Sequence, residues 1–153
     1  MAGKIINIFV AAKYEATMTT QDNARLDAEK GIVGDRYYGE DIDAQVTLVD
    51  ADMIEQINRT TGWSLTPAET RRNIVTRGID LNQWETARFR IGDAILEGVE
   101  LCEPCAGLGG QLENDQRTAA DVVKALTRGA GLRARVIEGA EIAIGDKVEP
   151  DQA

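Results

Sequence analysis

The sequence predicts a mainly β fold, a closed or nearly closed β-barrel with a few short peripheral α-helices. Short alternating apolar segments recur along the chain, and two of them follow similar turns, Ile91-Gly92-Asp93 and Ile144-Gly145-Asp146. Short strands that are joined by tight turns are typical of barrels. No strand–helix–strand rhythm repeats along the chain, which argues against a doubly wound parallel sheet.

Length and composition indicate one domain over residues 1–153. A chain of this length can bury one core but not two separate ones. No apolar run approaches the roughly 20 residues that cross a bilayer, so we expect no membrane association. The apolar patch near the N-terminus runs into charged sequence and is better interpreted as a first strand than as a signal peptide. With two cysteines and no dense disulfide framework, the expected location is the cytoplasm.

Charge and histidine content exclude several functions. The net charge is −9, which argues against a nucleic-acid partner because phosphate backbones require a concentrated basic surface. The chain has no histidine, so Ser-His-Asp and Cys-His catalysis are excluded. Histidine is also the commonest zinc ligand, and no zinc is expected with only two cysteines to replace it.

The elements follow one another with recognisable signals. Asp50 or Asp52 can cap a helix over 53–60, and Gly62 can end it. Pro67 is suited to the first position of a further helix. The remaining predictions are strands over 4–11, 45–49, 94–101 and 132–137, a strand that begins at Ile74, a helix over 119–126, and a polar loop over 14–30.

Two segments could bind an anion. The glycine-rich stretch 31–39 places Asp35 beside Arg36, and a structural turn with a local ion pair is the alternative to a binding loop. Arg71, Arg72 and Asn73 lie where a helix start meets a strand, and adjacent arginines suit a phosphate or carboxylate. A solvated basic pair explains that junction equally well.

Both cysteines lie in Cys102-Glu103-Pro104-Cys105, at the end of the strand over 94–101. The glycines at 107, 109 and 110 predict an irregular turn after them rather than the helix that opens at a thioredoxin-type dithiol. Besides a dithiol pair, two interpretations of the cysteines remain open. The cysteines are inert and buried, or one of them is a reactive thiolate that acts as nucleophile, sulfur carrier or metal ligand.

Several motifs occur together in an order that resembles the MOSC domain family, which includes the C-terminal domain of molybdenum cofactor sulfurases, amidoxime-reducing molybdoenzymes and small standalone bacterial proteins. The resemblance covers about residues 5 to 149. The motifs are Gly34-Asp35-Arg36, Gln45-Val46-Thr47-Leu48, Arg71-Arg72-Asn73-Ile74-Val75, Ile91-Gly92-Asp93, Cys102-Glu103-Pro104-Cys105, Gly131-Leu132-Arg133-Ala134 and Ile144-Gly145-Asp146.

This resemblance implies a twisted barrel and a functional cysteine at Cys105, which would ligate molybdenum where molybdenum cofactor is bound. It further implies that Arg71 and Asn73 help to hold the pterin phosphate, with Arg72 and Arg36 as additional cofactor-binding candidates. Tyr37 stands where family members often have histidine, so the resemblance does not extend to that histidine's role. Cys102 matches a position that the family fills less consistently.

The resulting hypothesis is a standalone MOSC-domain protein of molybdenum cofactor or sulfur metabolism. It would bind the cofactor or carry persulfide sulfur on Cys105, and could support reduction of N-hydroxylated compounds. The implied partners are a cysteine desulfurase or other sulfur donor and an electron-donor protein. Two alternatives from other classes are a non-enzymatic binding module for an anionic ligand, and a dithiol-disulfide oxidoreductase that uses Cys102 and Cys105.

Overall fold

A closed seven-stranded β-barrel forms the centre of the protein in the computed structural model, which describes residues 2–102 and 106–151. The strand order is β11-β7-β8-β9-β5-β6-β1, and β1 pairs with β11 to close the barrel. The strands are β1 Gly3–Val10, β2 Thr19–Gln21, β3 Asn23–Asp27, β4 Gly31–Ile32, β5 Val46–Asp50, β6 Ile74–Arg77, β7 Arg88–Ile91, β8 Ala94–Leu101, β9 Leu132–Glu138, β10 Ala140–Ala143 and β11 Lys147–Pro150.

Strand β1 is shared between the barrel and its extension. Its first residues pair with β11, whereas Ile8, Phe9 and Val10 pair with β2. Between β5 and β6 the pairing is parallel, and the other barrel pairs are antiparallel. A separate three-stranded sheet, in the order β10-β3-β4, packs beside the barrel.

Three short helices lie among the described residues: α1 Ala51–Thr61, α2 Ala106–Leu112 and α3 Ala119–Leu126. Asp50 caps α1 by accepting a bond from the backbone N–H of Asp52, and Gly62 ends it in the left-handed conformation. In α3, the Thr118 and Asp121 side chains form a reciprocal capping box. The described part of the chain also contains three 3₁₀ helices: Ile42–Ala44, Pro67–Thr70 and Leu81–Trp84.

The core has two layers because β5 and β6 bury both of their faces, as does β1 at Ile8 and Phe9. Successive residues of a strand point to opposite sides, so Leu48 enters the barrel interior while Val49 faces outward. Outward residues of these strands pack with α1 and α3, through side chains such as Ile54 and Val122. The helices therefore cover the outside of the barrel where the parallel pair lies.

The two Gly-Asp turns meet at the barrel's closing edge. The backbone N–H of Gly92 donates to the carbonyl of Lys147 at 3.0 Å. A Cβ at Gly92 would lie 2.8 Å from Asp146 Oδ2, and that oxygen also accepts from the backbone N–H of Ala143. The repeated motif thus marks two turns that pack against each other.

The prediction of a mainly β, closed barrel with a few short helices is confirmed. The strands and helices expected from periodicity are present within a few residues of their predicted bounds, and the 3₁₀ helix Pro67–Thr70 takes the place of the helix expected at Pro67. The loop over 14–30 is wrong in part, because β2 and β3 form there. Both are short, and their pairing partners lie elsewhere in the chain.

The irregular turn expected at the glycines after Cys105 is also wrong, since α2 occupies this segment. A Cβ at Gly109 would lie 2.7 Å from the carbonyl oxygen of Ala119 and 3.2 Å from Val123. Glycine therefore allows α2 to approach α3 closely. This packing outweighs the low helix propensity of glycine, about 1 kcal/mol per residue relative to alanine.

The carboxyl group of Asp50, which caps helix α1, should make the stability of the protein depend on pH. Burial raises its pKa to about 6, with additional repulsion from Asp52 and Asp80. The folded state therefore binds the proton more tightly than the unfolded chain, so this group's stabilisation is present at about pH 4 and is lost as pH rises through about 6. Asp50→Asn keeps a capping side chain but cannot ionise, so its free energy of unfolding should not fall for this reason. Relative to wild type, the variant should therefore become more stable as pH rises from 4 to 7.

Urea unfolding at several pH values measures this difference, with the exposed Asp93→Asn as the control. Identical pH dependence in wild type and Asp50→Asn would contradict the assignment.

Candidate functional site

A cleft of about 570 Å³ lies between the loop after β1, the 3₁₀ helix Pro67–Thr70 and the end of α2. Its lining residues are Tyr14, Glu15, Thr17, Met18, Ala68, Glu69, Arg71, Gln111 and Leu112. Among the described residues, the lining combines apolar side chains with one guanidinium and two carboxylates. Such mixed concave surfaces are the usual form of small-ligand sites.

Arg71 contributes the cationic group of the cleft. It follows the 3₁₀ helix in the left-handed conformation, with φ of 60°, which costs a non-glycine residue on the order of 1 kcal/mol. Its Nη2 donates to the carbonyl oxygen of Tyr14 at 2.8 Å. The side chain is therefore held against one wall, and the guanidinium retains further N–H groups for a ligand.

Arg36 supports Arg71 from below the cleft. Its side chain is only 3% exposed and pairs with the buried Asp35 carboxylate at 3.1 Å. Arg36 Nη2 donates to the carbonyl oxygen of Arg71 at 3.0 Å. The carboxylate of Asp35 also accepts from the backbone N–H groups of Ala11 and Tyr37. The local ion pair that the sequence left open is therefore present, and it acts on the backbone of Arg71.

Two tyrosines extend this cluster towards solvent. The Arg36 guanidinium lies over the Tyr37 ring, 4.3 Å from its centroid. The Tyr14 ring meets the Tyr37 ring edge-on at 5.6 Å and remains 59% exposed. An aromatic side chain thus stands at the cleft opening with its backbone fixed by Arg71.

Asn73 is fully buried and does not line the cleft. Its Oδ1 accepts from the backbone N–H and the hydroxyl of Thr47, and its Nδ2 donates to the carbonyl oxygen of Phe9. The side chain therefore joins β1, β5 and the start of β6. A part for Asn73 in cofactor binding stays a prediction, and this geometry would make it a positioning residue.

Arg72 also lies away from the cleft lining. Its Nε donates to the carbonyl oxygen of Ala130 at 2.7 Å, in the loop before β9. The Arg72 charge acts on the thiol of Cys102, as does that of Arg133. Arg71 and Arg72, adjacent in sequence, thus contact different parts of the structure.

Cys102 is a buried thiol, with 2% of its surface exposed. Burial raises its pKa above the ordinary value, and the positive charges of Arg72 and Arg133 offset this only in part. Thiolate is the reactive form, so Cys102 is poorly suited to nucleophilic chemistry. The predicted catalytic residue, Cys105, lies outside the described residues, directly before α2.

Several cleft residues were missed by sequence reasoning. Tyr14 and Met18 fall in the stretch that was interpreted as a polar loop, and Gln111 and Leu112 follow glycines that predicted a turn. Their only signal in the sequence is proximity to motifs on either side.

No cluster of three or more metal-ligating side chains occurs among the residues that the structure describes. Among those same residues, the helices are too short or too polar to span a bilayer.

The barrel and its cleft define the class of protein. It is a small closed β-barrel with an arginine-lined cleft beside short helices. The family model for the MOSC domain matches residues 19–149, so the chain belongs to the MOSC domain family. No curated protein matches the chain.

Solved structures share this fold. YuaD from Bacillus subtilis superposes with a TM-score of 0.86 at 18% identity, covering 99% of this chain and 98% of that one. YiiM from Geobacillus stearothermophilus has a TM-score of 0.76 at 15% identity, with coverage of 98% and 75%. YiiM from Escherichia coli has a TM-score of 0.75 at 17% identity, covering 100% of this chain and 71% of that one. At these identities the likeness concerns the fold alone.

Arg36→Met tests the buried ion pair. Removing one partner leaves the Asp35 carboxylate buried without its counter-charge, so we expect a loss of about 3 kcal/mol in the free energy of unfolding. The exposed pair of Arg25 and Asp27 is the matched control, and Arg25→Met should cost less than about 0.5 kcal/mol. If both variants lost the same free energy of unfolding in urea, the buried pair would contribute no more to stability than the exposed pair.

The low reactivity of Cys102 is tested in Cys105→Ser, where it is the remaining thiol. At neutral pH, we expect iodoacetamide to alkylate folded protein roughly two orders of magnitude more slowly than protein in concentrated urea, because burial limits both access and ionisation. Timed quenching and mass spectrometry give both rates. Similar rates in the two conditions would mean that Cys102 is accessible in the folded state.

Proposed function

We propose that the cleft binds the pterin phosphate of molybdenum cofactor, with Arg71 as the phosphate contact. The observation that carries this proposal is the position of Arg71, which lines the cleft while Tyr14 and Arg36 fix its side chain and its backbone. A guanidinium held in this way loses little further freedom on binding, and its planar fork suits phosphate oxygens. Family membership supports the choice of ligand, because the MOSC domain is associated with this cofactor.

The other charged groups of the cleft are compatible with an anion. Glu69 Oε1 accepts from the backbone N–H and the hydroxyl of Thr66, and its Oε2 lies 3.8 Å from Arg117. These partners offset its negative charge. Glu15 lies on the opposite loop, and Tyr14 and Met18 offer apolar surface to a planar ring. These features support the choice of a ligand that carries a planar ring and a phosphate.

In this proposal, Cys105 would supply a thiolate ligand to molybdenum, and the cofactor would supply redox chemistry when bound. Arg71 holds the phosphate, Arg36 holds the backbone of Arg71, and Asn73 fixes the strand that follows. Reduction of an N-hydroxylated compound would require two electrons from a donor protein and two protons from solvent, and the hydroxyl oxygen would leave as water. Arg72 contributes to the loop before β9 rather than to the phosphate.

Persulfide transfer is the second candidate, and the burial of Cys102 favours it over a dithiol mechanism. The thiolate of Cys105 would attack the outer sulfur of a persulfide on a cysteine desulfurase. The bond between the two donor sulfurs would break, and the donor cysteine would leave as a thiolate. One reactive thiol suffices for this step, whereas a dithiol-disulfide exchange would also require Cys102, whose pKa is raised.

The deciding experiment is the molybdenum and pterin content of reduced protein that was purified from cells making the cofactor. We expect wild type to contain both, Arg71→Ala to lose at least about nine-tenths of the pterin, in line with loss of one charge-assisted contact, and Cys105→Ser to lose molybdenum. Arg59→Ala, an exposed arginine near the end of α1, is the control and should bind like wild type.

Absence of both molybdenum and pterin from wild type would refute cofactor binding by this chain. Transfer of labelled sulfur from a desulfurase persulfide to Cys105 would then support the carrier function. If neither cysteine is needed for ligand binding, the non-enzymatic binding module is the better description.

A further inference from the structure

Arg117 is a buried cation in the short connection between α2 and α3. Its side chain is 8% exposed, and a backbone bridge between Asn114 and Arg117 holds the connection in place. Burial of a guanidinium costs free energy unless its N–H groups and charge are matched by partners. The position of those partners therefore indicates what this residue does.

Three groups of the described residues contact the Arg117 guanidinium, and they come from separate segments. Its Nε donates to the carbonyl oxygen of Leu112, the last residue of α2. Its Nη2 lies 3.8 Å from Glu69 Oε2, and its Cζ lies over the Trp63 ring, 5.5 Å from the centroid. One side chain thus contacts α2, the 3₁₀ helix before Arg71 and the loop after α1.

Two of these partners lie on different walls of the cleft. Leu112 belongs to the α2 wall, and Glu69 belongs to the wall that ends in Arg71. The two oxygens of the Glu69 carboxylate have different partners. Oε1 accepts from Thr66 in the capping box, and Oε2 faces Arg117. A continuous series of contacts therefore runs from the end of α2 to the segment that sets the backbone of Arg71.

We propose that Arg117 is a positioning residue that holds α2 against the 3₁₀ helix and thereby sets the separation of the two cleft walls. Its effect on a ligand rests on the proposed function, but its effect on the walls does not. Lysine cannot replace it fully, because one ammonium group cannot match the spacing of the guanidinium fork between the Leu112 carbonyl and Glu69.

Hydrogen exchange tests this inference in Arg117→Met, Arg117→Lys and the control Arg25→Met. In Arg117→Met, we expect amide protection to fall about tenfold in 106–112 and 67–71, the change expected for one lost charge-assisted hydrogen bond. Protection in β5, β8 and β9 should remain as in wild type. Arg117→Lys should give an intermediate loss in the same segments, and Arg25→Met should give none.

Glu69→Gln is a milder variant that keeps the protein testable if Arg117→Met does not fold. Glutamine preserves the capping box acceptor and removes the charge that faces Arg117. We expect a smaller loss of protection in the same two segments. An equal loss throughout the barrel would show that Arg117 is an ordinary core residue, and unchanged protection in both segments would also overturn the proposal.

The pterin content of the same variants tests whether the separation of the cleft walls affects cofactor binding. If wild type binds the cofactor, Arg117→Met should lose pterin although Arg71 is intact, and Arg117→Lys should recover part of it. Retention of wild-type pterin by Arg117→Met would overturn the link between wall separation and binding. If wild type binds no cofactor, the proposed function fails, and the exchange experiment alone decides the role of Arg117.

Discussion

The buried pair of Asp35 and Arg36 joins segments that are distant in sequence, and the candidate site depends on it. Asp35 holds the end of β1 through the backbone of Ala11, and Arg36 holds the junction before β6 through the carbonyl of Arg71. Two charges that are removed from water are tolerated only with good geometry and additional hydrogen bonds, and both members have such bonds. The left-handed backbone at Arg71 is sustained by this arrangement, because strained conformations persist where surrounding contacts determine them.

The barrel explains why these segments meet. Strands β5 and β6 are buried on both faces, and their parallel pairing brings the start of each strand to the same edge of the sheet. The antiparallel strand β1 ends at that edge. Asn73 lies at that edge and uses its side chain to join Thr47 and Phe9. The junction residues 71–73 therefore divide their roles: one contacts the cleft, one contacts the loop before β9, and one is internal. These three adjacent polar residues therefore contact three different parts of the structure.

Much of the fold was predictable from local signals. The Asp50 cap, Gly62 and the alternating apolar residues of β8 and β9 specify their elements through short-range physics, and the two Gly-Asp turns mark hairpin and strand starts. The glycines of α2 gave the wrong prediction, because their tolerance in a helix depends on contact with α3. Strand β2 is polar and short, so its pairing partner defines it, and β3 is short, with Ala24 and Leu26 as its buried residues. Of the candidate site, the sequence indicated Arg71 and Arg36, but the aromatic residues and Arg117 required the tertiary structure.

Two arginines that do not line the cleft determine the geometry of its walls. Arg36 acts on one wall through a carbonyl oxygen, and Arg117 acts on the other in the same way, through the last residue of α2. Each guanidinium is buried, each has a carboxylate partner, and each lies over an aromatic ring. A planar cation can satisfy a carbonyl, a carboxylate and a ring at once, whereas a compact ammonium group cannot. These two side chains therefore connect the segments that form the cleft walls, although neither of them lines the cleft.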